Sequence, residues 1–318
     1  MNTPLAKRAA GTATALLLDR ITGPLVGDGP ERLPDHLHPV AWFGRGMKIL
    51  ETRTWRDDRV AGLRYTATGA AIGIFVGHLS GSTTTVVYLA TAGRQLRRTA
   101  LEIAGCLEAG DLDTARATLP ALVGRDPDHL DQAGVAAAVV ESLAENSVDA
   151  VVAPVFWGLV AGAPGAAAYR AVNTMDAMVG HRSTRYERFG WAAARLDDVA
   201  NWLPSRLFAL AVVAAVPSRT RDVVSTVCRD ATAHPSPNAG VAEAAVAGAL
   251  NLRLGGPLSY GERIDKRPVL GDGRSPGAED IRRAVDLVGR CEAILVAILG
   301  AAAIAVLATR LHRARSAR

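Results

Sequence analysis

Ala150-Val151-Val152-Ala153-Pro154-Val155-Phe156-Trp157-Gly158-Leu159-Val160-Ala161-Gly162-Ala163-Pro164-Gly165-Ala166-Ala167-Ala168-Tyr169 contains no Asp, Glu, Lys or Arg. About 20 mostly apolar residues cross roughly 30 Å of hydrocarbon as a helix, so the stretch is long enough for a membrane segment. Three further stretches approach that standard. Thr66 to Ala92 and Ala293 to Thr309 are equally charge-free, and Leu207 to Ser218 is shorter. A helix buried in a soluble core is rarely apolar on every face and flanked by clustered Arg. Alternating strand patterns are nearly absent. The sequence therefore predicts an all-α, polytopic helical membrane protein whose cytoplasmic helices and loops form the site.

The wider composition agrees. Of 318 residues, 49% are hydrophobic, 21% charged and 5% aromatic, and the mean hydropathy is +0.15. These values exclude a disordered or fibrous chain and raise the membrane reading. The net charge of +5 suits either a polyanion or basic flanks of membrane segments. No basic stripe with interleaved aromatics is present, so nucleic acid is not an expected partner. Cys106, Cys228 and Cys291 are far apart and odd in number, which argues against a disulfide framework or a structural zinc site. Lys7 and Arg8 precede a short apolar run, but Leu17-Leu18-Asp19 is not a small-residue cleavage site, so an uncleaved first segment is expected.

We expect one integral membrane domain over residues 1–318, with apolar segments near 9–26, 66–92, 150–172, 204–218 and 291–309. Arg310, Arg313, Arg315 and Arg318 follow the last segment, which places that tail in the cytoplasm. Basic clusters flank both ends of Thr66 to Ala92, suggesting a hairpin turning at His78-Leu79-Ser80-Gly81-Ser82. Arg94 to Gly110 reads as a helix leaving the membrane. Asp111-Leu112-Asp113 opens another, with acids in its first turn, and Asp126-Pro127-Asp128 a third running towards Glu145.

Three polar constellations stand beside the apolar runs. In the first, Glu141, Glu145 and Asp149 recur every four residues and would stack on one helix face. Like charges at that spacing repel, which suits a solvated surface or a bound cation. With the amide oxygen of Asn146 they offer the ligands that Mg²⁺ takes beside substrate phosphates. The second runs from Asn173 and Asp176 through His181-Arg182 and Arg185 to Arg195, Asp197 and Asp198. Arg presents a planar fork to phosphate or carboxylate, and the acids could hold metal. A basic surface loop would explain the Arg residues but not the interleaved Asp and Asn. The third is His234-Pro235-Ser236-Pro237-Asn238-Ala239-Gly240, followed by Glu243, where Asn238 could cap an anion-binding helix. Gly255-Gly256 and Gly271-Asp272-Gly273 then let backbone approach a ligand, or make ordinary turns.

Standard nucleotide and hydrolase signatures are absent: no G-x-x-x-x-G-K-[ST], no G-x-G-x-x-G opening a βαβ unit, no G-x-S-x-G and no H-E-x-x-H. His36-x-His38 could be a metal pair, but His38-Pro39 reads as easily as a turn entering a helix.

Taken in order, these motifs resemble the adenosylcobinamide-phosphate synthase family of cobalamin biosynthesis, an integral membrane family. The likeness spans nearly the whole chain, from Leu18-Asp19 and His38-Pro39-Val40 to Gly271-Asp272-Gly273. Its most specific runs are Tyr169 to Asp176, Gly190-Trp191 to Asp198, and His234 to Gly240. The resemblance implies ATP-dependent joining of adenosylcobyric acid to (R)-1-amino-2-propanol O-2-phosphate, or to free aminopropanol, with Mg²⁺ present. It implies corrinoid and aminopropanol phosphate partners, contact with membrane lipid, and a homo-oligomer or a complex with other enzymes of the pathway. The location implied is the cell membrane, with the active site on the cytoplasmic side.

Chemistry then suggests roles. An acyl phosphate made from ATP needs Mg²⁺ and cationic groups on the phosphates. Glu141, Glu145, Asp149 and Asp176 are the expected metal ligands. Arg182, Arg185 and Arg195 would neutralise phosphate, with Asn173 and Asn238 as binding residues. Asp197 or Asp198 would orient or deprotonate the amine, and Glu243 would join Asn238 in a second wall. ATP is cytoplasmic, so Ala150 to Tyr169, interrupted by Gly158, Gly162, Pro164 and Gly165, is expected to re-enter or form a short hairpin rather than cross once. The rival classes are a transporter or channel for a small anionic solute and a membrane scaffold that recruits other enzymes.

Overall fold

A computed structural model describes residues 3–22, 38–124, 127–181, 183–260 and 263–316. In chain order the helices are α1 (Thr3–Thr22), α2 (Pro39–Thr54), α3 (Arg59–Ser80), α4 (Thr83–Ala90), α5 (Gly93–Glu108) and α6 (Leu112–Thr118). Then come α7 (Gln132–Ser147), α8 (Ala153–Met175), α9 (Trp191–Ala215), α10 (Thr220–Asp230), α11 (Ala239–Leu250) and α12 (Ala278–Ser316). Two short π-helical segments, Val148–Val152 and Asp176–Gly180, bracket α8. One antiparallel hairpin, β1 (Leu254–Tyr260) with β2 (Arg263–Leu270), interrupts the helices.

Among the described residues, three helical stretches are long and apolar enough to cross a membrane: Arg59–Ser80, Gln132–Gly180 and Ala278–Ala305. A fourth is added if Trp191–Ala215 and Pro217–Ala233, bent by 109°, form one broken span. The chain is an all-α polytopic membrane protein. α1 carries Lys7, Arg8, Asp19 and Arg20 and is not among these stretches.

The chain divides into two compact units, Met1–Ala92 with Asp149–Asn201 and Leu295–Arg318, and Gly93–Val148 with Trp202–Ile294. In the first unit α3 presents Gly69, Gly73 and Gly77 at four-residue spacing. Added Cβ atoms there would strike Met175, Ala167 and Pro164 of α8, so the small stripe lets the two helices approach closely. α3 ends at Gly81, whose φ of 62° turns the chain, and the Ser82 hydroxyl caps α4. Leu16, Val87, Val155, Ala166 and Leu299 close an apolar core around α1, α4, α8 and α12.

The decisive feature of this unit is inside α8. Gly162 sits at φ 71° and ψ −155°, which no side-chain-bearing residue adopts cheaply, and the helix breaks there. The two arms fold back on one another. Asn173 hydrogen-bonds Asp149 at 3.2 Å, whereas a straight helix would hold residues 24 apart about 36 Å from each other. Tyr169 packs with Ala153, and a Cβ on Gly165 would lie 2.6 Å from the Trp157 carbonyl. The Val160 carbonyl, orphaned at the break, accepts a bond from Arg8 Nη1 at 2.6 Å. Both ends of the charge-free stretch therefore lie together.

In the second unit α11 is buried on every side, as its Ala-rich, uniformly apolar sequence requires. α5 buries one face, Leu96, Ala100, Ile103 and Leu107, and ends before Gly110 at φ 75°. Asp111 caps α6. The next helix begins later than Asp126-Pro127-Asp128 suggested: α7 starts at Gln132, because Asp131 accepts the Gly134 amide at 2.7 Å. Asp126 lies outside the described residues. The β-hairpin was not expected from a sequence in which alternating strand patterns are nearly absent.

Candidate functional site

Gly162 brings the foot of α8 back to its beginning, and a polar web forms there from residues far apart in sequence. Asn173 is its centre. The amide nitrogen donates to Asp149 Oδ2 at 3.2 Å and Asp197 Oδ1 at 3.3 Å, and its oxygen accepts from Arg170 Nη1 at 3.1 Å. Both amide hydrogens are thus committed to carboxylates and the carbonyl to a guanidinium. Asp197 also accepts from Asn201 Nδ2 at 3.0 Å, the i+4 neighbour on α9. Buried Asn201 is held in turn by the Tyr169 hydroxyl at 2.9 Å, and that hydroxyl lies 3.2 Å from the Asp149 carbonyl.

Two features of the helices aim these groups. The π-helical Val148–Val152 adds a residue to the turn, so Asp149 leaves the 141–145–149 face that an uninterrupted α-helix would give. Trp157 Nε1 donates to the Ala200 carbonyl at 3.1 Å and fixes α9 against α8. What results is two carboxylates one amide apart, with a cation on the opposite side of that amide. Such a group can hold a divalent ion together with oxygens of a phosphorylated ligand. Among the described residues no cluster of three or more His, Cys, Asp or Glu side chains stands ready for a metal ion.

The other expected site residues fall as follows. Asp176 lies in the second π segment, where a Cβ on Gly180 would collide with its carboxylate. Asp198 pairs with exposed Arg195 at 3.4 Å. Arg182 lies outside the described residues, as does His36. Arg185 is half exposed and already engaged. It pairs with fully buried Glu51 at 2.8 Å and stacks over Trp55. Burial alone would push the Glu51 carboxyl up, but hydrogen bonds from Lys48, Arg185 and Tyr186 outweigh it and hold the value below the usual carboxylate range. His38 accepts the Val40 amide at 3.2 Å and caps α2.

Within the second unit a separate set of buried polar groups forms. Glu141 is not on a solvated face: it is 2% exposed and accepts the Gly255 amide at 2.8 Å, which ties α7 to the glycines of β1. Glu145, one turn on, is exposed. Buried Glu243 lies 3.8 Å from His234 Nε2. The Ser236 amide donates to His234 Nδ1 at 3.1 Å, and burial pushes the imidazole below its usual value. α11 does begin after Asn238, but that side chain does not cap it. Ser236 Oγ accepts the Ala239 amide, while Asn238 Oδ1 accepts from Ser205 at 3.2 Å and Arg206 at 2.9 Å.

Tyr169, Arg170 and Asn201 received no role from sequence reasoning. Their signal was spacing: Tyr169 and Asn173 sit four apart on the second arm of α8, and Asp197 and Asn201 four apart on α9. Glu51 was missed too, although Lys48 three residues earlier hinted at a pair.

Comparison with known proteins adds the following. A family model described as CobD/Cbib protein matches residues 12–288. The "Cobalamin biosynthesis protein CobD" of Mycobacterium tuberculosis (strain ATCC 25618 / H37Rv) is 46% identical over 293 residues, covering 88% of this chain and 91% of that protein. Its counterpart in Rhodobacter capsulatus is 42% identical over 290 residues, covering 84% and 90%. That of Photorhabdus laumondii subsp. laumondii is 42% identical over 266 residues, covering 76% and 82%. No solved structure matches.

Proposed function

The chain belongs to the CobD/Cbib protein family and takes part in cobalamin biosynthesis, and we propose that its step is an ATP-dependent amide ligation. Adenosylcobyric acid and (R)-1-amino-2-propanol O-2-phosphate, or the free aminopropanol, are the proposed substrates. The proposed setting is the cell membrane, with the site on the cytoplasmic side, where ATP is. A carboxylate is a poor acceptor for an amine. One of its oxygens therefore attacks the γ-phosphorus of ATP, ADP departs, and an acyl phosphate forms. The amine nitrogen then attacks the acyl carbon, inorganic phosphate leaves and the amine gives up a proton.

The observation that carries this reading is the web around Asn173. It supplies fixed carboxylates and a guanidinium in one place, as phosphoryl transfer requires. The donor set suits Mg²⁺, which takes one or two carboxylates and completes its shell with phosphate oxygens and water. Asp149 and Asp197 would hold it, and the ion would neutralise charge on the transferring phosphoryl group. Arg170 keeps the Asn173 amide turned so that both its hydrogens face the acids. Asp198, with Arg195 beside it, is the proposed acceptor of the amine's proton.

The test is purified protein with adenosylcobyric acid, the aminoalcohol phosphate, ATP and Mg²⁺. One ADP per amide supports the reading. A broken apolar helix is also a transporter's device, so solute flux into proteoliposomes without ADP release would reject it in favour of transport.

A further inference from the structure

A cavity of about 650 Å³ opens in the first unit between α2, α3, α4 and the second arm of α8. Its wall is apolar, formed by Phe43, Met47, Ile72, Val76 and Leu89 among others, and Arg170 is the one charged residue lining it among the described residues. Ile72 and Val76 are half exposed on the same side as Phe75 and Leu79, four large apolar side chains on a helix apolar enough to lie in a bilayer. The groove is therefore accessible from lipid. Next to it lies a second hollow of about 550 Å³, lined by His38, Arg45, Lys48 and Arg170 and, among the described residues, by no carboxylate. Val40, Arg170 and Thr174 border both spaces, so the two lie side by side.

Three basic side chains, Arg45, Lys48 and Arg170, gather at the mouth. Lys48 leans on Glu51 at 2.6 Å, but that one acid is shared with Arg185. Arg170 spends Nη1 on Asn173, and its buried Nε has no hydrogen-bond partner among the described residues. Trp42, 56% exposed on the rim, is the amphipathic ring that favours a membrane–water interface. A long dry groove ending in cations calls for a ligand with a long apolar tail and an anionic head. Nucleotides and aminoalcohol phosphates have no such tail.

We propose that this groove binds one anionic phospholipid, with an acyl chain between α2, α3 and α8 and the phosphate at Arg45, Lys48 and Arg170. Gly46 offers a clean probe, because it lines the groove and an added Cβ meets nothing within 4 Å. Gly46→Leu fills the tail's space without straining the helix, and Arg45→Gln removes charge at the head.

The experiment is native mass spectrometry of the full chain in mild detergent, with phosphatidylglycerol or phosphatidylcholine added. One phosphatidylglycerol is expected to stay bound in preference to phosphatidylcholine. Arg45→Gln lowers its retention about fivefold, the effect of one basic residue near a lipid head. Gly46→Leu lowers it at least about tenfold, since each methylene kept out of the groove is worth about fourfold. Gly105→Leu, on α5 where an added Cβ is also unobstructed, leaves retention unchanged and controls for the substitution itself. Equal retention of both lipids overturns the proposal, as does wild-type retention in Gly46→Leu with the fold intact by thermal unfolding. Displacement of the lipid by inorganic phosphate would assign the mouth to a free anion instead and also overturn it.

Discussion

Replacing Gly162 by Ala tests the reversal of α8 directly. The neighbourhood has room for the methyl group: the nearest atom to an added Cβ is Arg8 Nε at 3.1 Å, the end of a flexible side chain. The penalty is in the backbone. At φ 71° and ψ −155° an L-residue occupies a region reserved in practice for glycine, at about 1–3 kcal/mol. If α8 ran straight instead, the same substitution would improve a helix interior by up to about 1 kcal/mol. The sign therefore distinguishes the two. Gly105 supplies the reference, because it lies inside α5 with nothing within 4 Å of an added Cβ. Thermal unfolding of both variants in the same detergent should show a lowered midpoint for Gly162→Ala and an unchanged or raised one for Gly105→Ala. A stabilised Gly162→Ala would refute the reasoning.

Further outcomes follow from the same geometry. With the native cysteines replaced, Asp149→Cys and Asn173→Cys should be joined by a short bifunctional thiol reagent, and failure to cross-link would favour a straight helix. Asn173→Ala removes three hydrogen bonds, two of them to carboxylates, each worth about 1.5–3 kcal/mol when charged. If only one such bond is stronger in the transition state, kcat/KM of the ligation falls about 10- to 100-fold, and unchanged kinetics would remove Asn173 from the site. Glu51 has a lowered native value, so its contribution to stability is complete above the ordinary glutamate value of 4.5 and is lost as pH falls through the native one. Glu51→Gln should flatten the acid limb of a stability–pH profile, and an unaltered limb would contradict the pairing with Lys48 and Arg185.

Much of this architecture is legible without coordinates, and the exceptions have physical causes. The charge-free runs announce membrane helices because hydrocarbon tolerates little else. Gly158, Gly162, Pro164 and Gly165 mark a weak point in α8, but which of them takes the positive φ depends on Arg8 and on the close packing of α3, which lie far away in sequence. The stack of Glu141, Glu145 and Asp149 fails because the π segment breaks the four-residue period and because Glu141 finds a buried partner in β1. A regular helical wheel carries neither fact. Asn238 illustrates the same limit. Its position at the start of α11 is evident from Pro237, yet Ser236 performs the capping and leaves the amide to Ser205 and Arg206. Arg185 reads as a phosphate ligand, and the sequence does not reveal that Glu51, more than a hundred residues earlier, comes alongside.

Isotope transfer tests most directly whether ATP activates the corrinoid acid for amide formation. Adenosylcobyric acid carrying oxygen-18 in its reacting carboxylate should pass one labelled oxygen to inorganic phosphate in each turnover, with ADP formed in equal amount. Label appearing in AMP would replace the acyl phosphate by an acyl adenylate, whereas amide formed while phosphate and AMP both stay unlabelled would contradict activation by ATP and with it the ligase reading.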